Sequence, residues 1–235
     1  MGLWGKIKKA AKKVWKKVKA VARTVVKIIV AIVGRVLGIV DLLIGFAAWP
    51  PKKLRLHIVI LTNANRKPVV SKSDLENSIA FAKKVLKDKF NVKLKPFKKE
   101  YVEIISEPAP PFALEVHCDS EAFKEEYKGA GEYFADHTAG WYGVPISLKF
   151  PITAFIVENV VDKQGCSLGP LTDYLTLDPS GVKSESTLMH EIAHSCGLWH
   201  SKSKSNIMFK NSSRGEKVKW FQKNLLRSSR HVMYW

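Results

Sequence analysis

The sequence predicts a mixed α/β domain behind a basic, amphipathic helical tail, with the division near residue 50. Three observations carry that prediction. Over residues 1–53, 13 Lys and Arg face a single acid, Asp41, which places +12 of the chain's +18 there; residues 54–235 hold 26 against 20. Beyond WPPKK at 49–53, apolar runs short enough for buried strands alternate with stretches of helical period. Finally, HEIAHSCGLWH at 190–200 sets three imidazoles and a carboxylate on a helix and the turn that leaves it. The chain therefore divides into a tail at 1–48, a stiff Pro-containing linker at 49–53 and a folded domain at 54–235.

In the tail, Trp4, Ile7, Ala11, Val14, Val18 and Val21 recur at helical intervals while lysines fill much of the remaining circumference. Such a helix lies in a membrane interface, with Trp4 and Trp15 at headgroup level, so an anionic membrane surface is the expected partner of residues 1–48. The same spacing, continued through Val25, Ile28 and Ile32, also fits a coiled-coil seam, and self-association of the tail stays open. Lys27, Arg35 and Asp41 interrupt the more apolar second half, which argues against a stable single span. No small-x-small cleavage site is clear before Trp49, so the expected location is at a membrane, or outside the cell without an evident cleavable signal. Nucleic acid is disfavoured as a partner because the basic run is interleaved with aliphatics rather than stacking aromatics.

Within the domain, residues 54–61 read as a strand that begins in alternation and ends nearly all apolar, as burial on both faces requires. Ser73 and Glu76 have capping-box spacing ahead of a helix whose apolar face is Leu75, Ile79, Ala82, Val85, Leu86 and Phe90. Strands are expected at 91–94, 101–105 and 113–118, a loop at the proline cluster 108–111, and a short helix after Ser120. Residues 128–149 read as a packed surface loop, with a second metal site at Asp136 and His137 as the lesser reading. Buried strands are expected at 152–161 and 170–178, the second forming a sheet edge before the helix of the histidine motif, which Ser184 or Ser186 caps. Val218, Trp220, Phe221 and Leu225 describe a closing helix. Three cysteines do not make a disulfide framework; Cys118 and Cys166 pair only in an oxidising compartment, and Cys196 reads as a small buried residue. His57, His117, His137 and His231 lack paired spacing and read as structural or surface residues.

The motif's chemistry follows from its spacing. His190 and His194, four apart, share one helix face and can each give a nitrogen to one metal. Glu191 stands beside that metal, where it suits a base acting on metal-bound water. Gly197 permits the left-handed turn that brings His200 back as a third ligand. Three protein ligands leave a fourth position open, the arrangement of catalytic Zn2+. A shuffled chain of this composition would carry the pattern on the order of 10⁻⁵ of the time.

This run resembles the signature of the metzincin zinc endopeptidases, and the interval from His200 to Met208 is similar to that of the matrixin-like branch. The resemblance implies a twisted mixed sheet with a zinc-binding helix and a C-terminal helix, Met208 as an apolar floor beneath the imidazoles, and a peptide or protein substrate held along a sheet edge. It implies a zinc-dependent endopeptidase with Glu191 as general base and the histidines as ligands. The alternative is a membrane-active, antimicrobial-like toxin or a binding protein in which proteolysis is secondary or absent. Two positions depart from the family: Lys210 stands where some branches carry a tyrosine, and Phe209 where the matrixin-like pattern has Tyr.

Overall fold

The computed structural model describes residues 50–118, 130–138, 151–170 and 172–234, together with Val14, Trp15, Val18, Val25, Ile29, Ile32 and Val36. These seven tail residues are helical and exposed. No described helix is long and apolar enough to cross a membrane. The rest of the tail, the helix expected after Ser120 and all of 139–150 lie outside the described residues.

The elements run β1 (Lys52–Thr62), α1 (Glu76–Phe90), β2 (Val92–Pro96), β3 (Val102–Pro108), α2 (Pro111–Leu114), β4 (Glu115–Val116) and α3 (Ala130–His137). They continue with β5 (Ile152–Ile156), β6 (Asn159–Val160), β7 (Gly165–Ser167), β8 (Tyr174–Leu177), α4 (Pro179–Lys183), α5 (Glu185–Ser195), α6 (Trp220–Arg227) and β9 (Val232–Met233). One mixed sheet is ordered β2-β1-β5-β8-β7, with β3 and β9 also paired to β1; β4 and β6 form a small separate pair. β1 is parallel to β2, β3 and β5, β5 is parallel to β8, and only β7 and β9 run antiparallel to their neighbours.

The near-continuous apolar run of β1 is explained by cover on both faces. Leu54, Leu56, Ile58 and Ile60 join α1 and α5 in the larger core, whereas Val59 and Leu61 join Phe134, Phe155 and Val157 in the second. The strand starts inside the stretch expected to be a linker. Lys52 is buried there, its backbone N–H on the Asn91 carbonyl and its ammonium on the Arg227 carbonyl at 3.0 Å, so residues 52 and 53 belong to the domain.

α1 buries the expected face, but the capping box does not form. A 3-10 turn at Ser73–Leu75 precedes the helix, and Asp74 accepts from the Ser71 backbone N–H at 2.8 Å and from its hydroxyl at 2.7 Å. The strand expected at 113–118 is cut to two residues, because Pro111 at the first helical position starts a turn of helix that runs to Leu114. The run at 152–161 breaks into β5 and β6, and the expected loop at 128–149 contains α3. β8 is internal, so 170–178 is not the sheet edge; the terminal strand is β7, which Cys166 ties to Cys118 by a disulfide. Cys196 is buried with a free thiol. In α6, Trp220 and Phe221 are about half exposed at 51% and 54%, and the buried face is Gln222, Leu226 and Arg227, with Val218 and Leu225 packed partly against the core.

Candidate metal centre

α5 is the element that positions the site. Leu188, Met189, Ile192 and Ala193 anchor it in the larger core, which turns His190 and His194 together toward one side. Ser184 occupies the N-cap without a side-chain bond, so the expected serine cap does not form there. At the other end the helix stops in a Schellman arrangement: Gly197, at φ 89°, donates to the His194 carbonyl at 2.8 Å and Leu198 donates to the Ala193 carbonyl at 3.0 Å. A residue with a Cβ would adopt that φ only with strain. The reversal places Leu198 under His194 and carries the chain on to His200.

The three imidazoles converge. Nε2 of His190 and of His194 lie 3.1 Å apart, those of His194 and His200 3.2 Å, and those of His190 and His200 3.3 Å. Tetrahedral zinc, with nitrogens at about 2.0–2.1 Å, spaces its ligands by about 3.3 Å, so the triangle fits the ion. Nδ1 of His190 donates to the Ile207 carbonyl at 2.9 Å and Nδ1 of His194 to the Leu198 carbonyl at 2.7 Å. Those bonds leave Nε2 as the lone-pair atom on each ring. Lone pairs turned on one another at this distance are relieved by a shared cation. Burial, reinforced by the Arg214 guanidinium, pushes His190 down to about 3, burial pushes His194 down to about 4, and it lowers His200 as well; all three are neutral at pH 7, as ligands must be. Among the described residues this is the one cluster of three or more His, Cys, Asp or Glu able to hold a metal.

Glu191 is buried between α5 and the edge strand. Burial pushes its carboxyl up to about 7, against the pull of Arg214, of Lys163 and of the Ser167 backbone N–H. β7 comes this close because position 165 is glycine: a Cβ there would meet the Glu191 Cγ at 3.0 Å and the Leu177 side chain at 2.6 Å. The strand is also tied to the helix by the Ser167 and Ser195 hydroxyls, 2.9 Å apart.

Met208 is fully buried in the larger core, its N–H on the Asn206 side chain at 2.9 Å and its carbonyl accepting from Ser201 at 2.7 Å. Asn206 and Gln222 exchange two side-chain bonds, of 2.9 and 3.2 Å, and so fix the turn whose Ile207 carbonyl orients His190. Asp136 and His137 are exposed, and His137 is bonded to the Tyr133 carbonyl rather than assembled into a second metal site. His57 is buried against Glu103 at 2.8 Å, and His117 and His231 also stand outside the cluster.

Sequence reasoning missed Arg214, Ser167, Gly165 and the Asn206–Gln222 pair. None has a spacing that marks it, since they reach the site from β7, from the loop that carries Arg214, and from the Asn206 turn and α6.

The family profile described as Matrixin matches residues 49–224. Solved structures that resemble this chain include metalloproteinase-II from Bacteroides fragilis, at 14% identity and TM-score 0.47 over 76% of this chain and 53% of that one. Archaemetzincin from Methanopyrus kandleri stands at 12% identity and TM-score 0.45 over 74% of this chain and 94% of that one. A zinc-dependent peptidase from Methanocorpusculum labreanum stands at 12% and 0.44, over 72% and 99%. The chain thus spans little more than half the length of the Bacteroides protein. No curated protein matches.

Proposed function

The chain belongs to the matrixin family of zinc peptidases, and we propose from that premise that it is a zinc-dependent endopeptidase, with His190, His194 and His200 as ligands and Glu191 as general base. One observation carries the reading: three neutral imidazole nitrogens 3.1–3.3 Å apart stand on and just after the helix that also bears a buried carboxyl raised to about 7. Bound there, zinc supplies a Lewis acid that polarises the scissile carbonyl and acidifies a water.

The protein's own groups do the rest. Glu191 takes up a proton on its carboxylate at neutral pH and returns it to the leaving amine, which a group titrating near the working pH does in both directions. The carbonyls of Ile207 and Leu198 hold His190 and His194 in the tautomer that offers Nε2. Gly197 supports the site by making the reversal before His200, and Met208 by anchoring the turn beneath it. β7, terminal in the sheet and next to Glu191, offers main-chain groups for an extended peptide.

The test is cleavage of a peptide library by the full chain, beside a chelated sample and Glu191→Ala. General-base loss predicts a drop of about 10²–10⁴-fold in kcat with zinc still bound. Full activity in Glu191→Ala, or in protein stripped of metal, would refute the reading.

The tail gives this activity a location in the same proposal. Its +10 charge and the exposed helical Val14, Trp15, Val18, Val25, Ile29, Ile32 and Val36 support docking on an anionic lipid surface. Membrane disruption by the tail and tail self-association are the readings that compete with it.

A further inference from the structure

Arg214 lies between the Met208 turn and α6, and its half-buried guanidinium joins two walls of the site. Nη1 donates to the Ser186 hydroxyl at 3.3 Å, Nε to the carbonyls of Phe209 and Asn211 at 3.1 Å each, and Nη2 reaches the Lys210 carbonyl at 3.5 Å. Ser186, His190 and His194 follow one another at intervals of four and so share one stripe of α5. Ser186 comes one turn before His190, about 6 Å along the helix axis. The guanidinium therefore stands at one end of the face that carries two of the three imidazoles, against the segment leaving the Met208 turn. Its field reaches the centre, where it lowers all three histidines and opposes the rise of Glu191.

Every acceptor that Arg214 touches is a neutral oxygen. Among the described residues no carboxylate forms an ion pair with it, although a guanidinium has five N–H donors and at least two on its terminal nitrogens have no acceptor here. A partly desolvated arginine with neutral partners and spare donors is suited to a planar anion, which it binds through two parallel bonds. Glu191, the acid whose charge it senses, is occupied by the proton work. An extended peptide advances about 3.3 Å per residue, so the distance from His190 to the guanidinium's anchor equals about two substrate residues.

We propose that Arg214 is a specificity-determining residue, binding the carboxylate of a substrate Asp or Glu within about two residues of the scissile bond. The inference rests on the peptidase reading above and adds the substrate class to it.

The test uses the full zinc-loaded chain and paired peptides that differ only by Glu or Gln at each position around the cleaved bond. The Glu peptide should exceed its Gln twin by about tenfold in kcat/KM at one such position, as for a charge-assisted bidentate contact. That ratio should collapse toward one in Arg214→Gln and fall below one, in favour of the Gln twin, in Arg214→Glu. Arg214→Lys, which keeps the charge but loses the fork, should retain only part of it; zinc content and Tm report the folding of each variant. If Arg214→Gln does not fold, Arg214→Lys decides, and a Glu preference unchanged in that variant overturns the proposal. So does a Glu-to-Gln ratio near one at every position in the wild type, or a preference that survives Arg214→Gln, which would point to Lys163 or Lys210. Failure to cleave any peptide refutes the peptidase reading instead.

Discussion

Buried titratable side chains give this domain its most direct signatures. His57, 3% exposed, is held below its ordinary 6.5 by burial, even though Glu103 opposite pulls it upward. The unfolded chain takes up that proton first, so stability is full above about pH 6.5 and falls as the pH drops below it. Replacing the ring by Gln removes the titration. The denaturation midpoint of His57→Gln should lose less than that of the wild type between pH 7.5 and 5.5; parallel curves would contradict the linkage. The motif residues were readable at this scale because three histidines, a glutamate and a glycine at fixed intervals leave one geometry in which all work together. Arg214 was not readable, since a lone arginine in an exposed-looking SSRGEK loop has no period to betray the helix face it meets.

Elements were readable where one-sided burial or a motif marks them and their length is sufficient. α1 and α5 run 15 and 11 residues, and α1 buries the face its period marks. β7, only three residues with a glycine among them, has no pattern, yet it displaces β8 from the sheet edge. α6 misleads for another reason: Trp220 and Phe221 have the look of a core face, but Gln222 and Arg227 occupy the buried side because each has backbone or side-chain partners there. The Gly197 reversal is the element on which the third ligand depends. Gly197→Ala should cost about 1–2 kcal/mol, the penalty of a left-handed Cβ. Because Leu198 then loses its place under His194, zinc affinity should fall in the same variant. Chemical denaturation and competition with a chromophoric chelator measure the two effects, and an unchanged zinc affinity would separate the turn from the site.

For the whole molecule, charge and chemistry fall in different segments. Residues 1–48 hold +10 of the chain's +18, so deleting them should abolish co-sedimentation with anionic vesicles and leave peptide cleavage in place. Undiminished sedimentation would move the lipid contact into the domain, and vesicle leakage caused by the full chain would favour the disrupting role. The α/β class could be read from period alone. The pairing of Cys118 with Cys166 could not, because it depends on β7 and the segment after β4 meeting in space. The central claim is that three histidines from one helix and its exit turn hold a single zinc ion. Zinc K-edge X-ray absorption of the full chain tests it most directly: three imidazole nitrogens and one oxygen donor, all at about 2.0–2.1 Å, are expected, and a sulfur scatterer at about 2.3 Å or fewer than three imidazoles would contradict it.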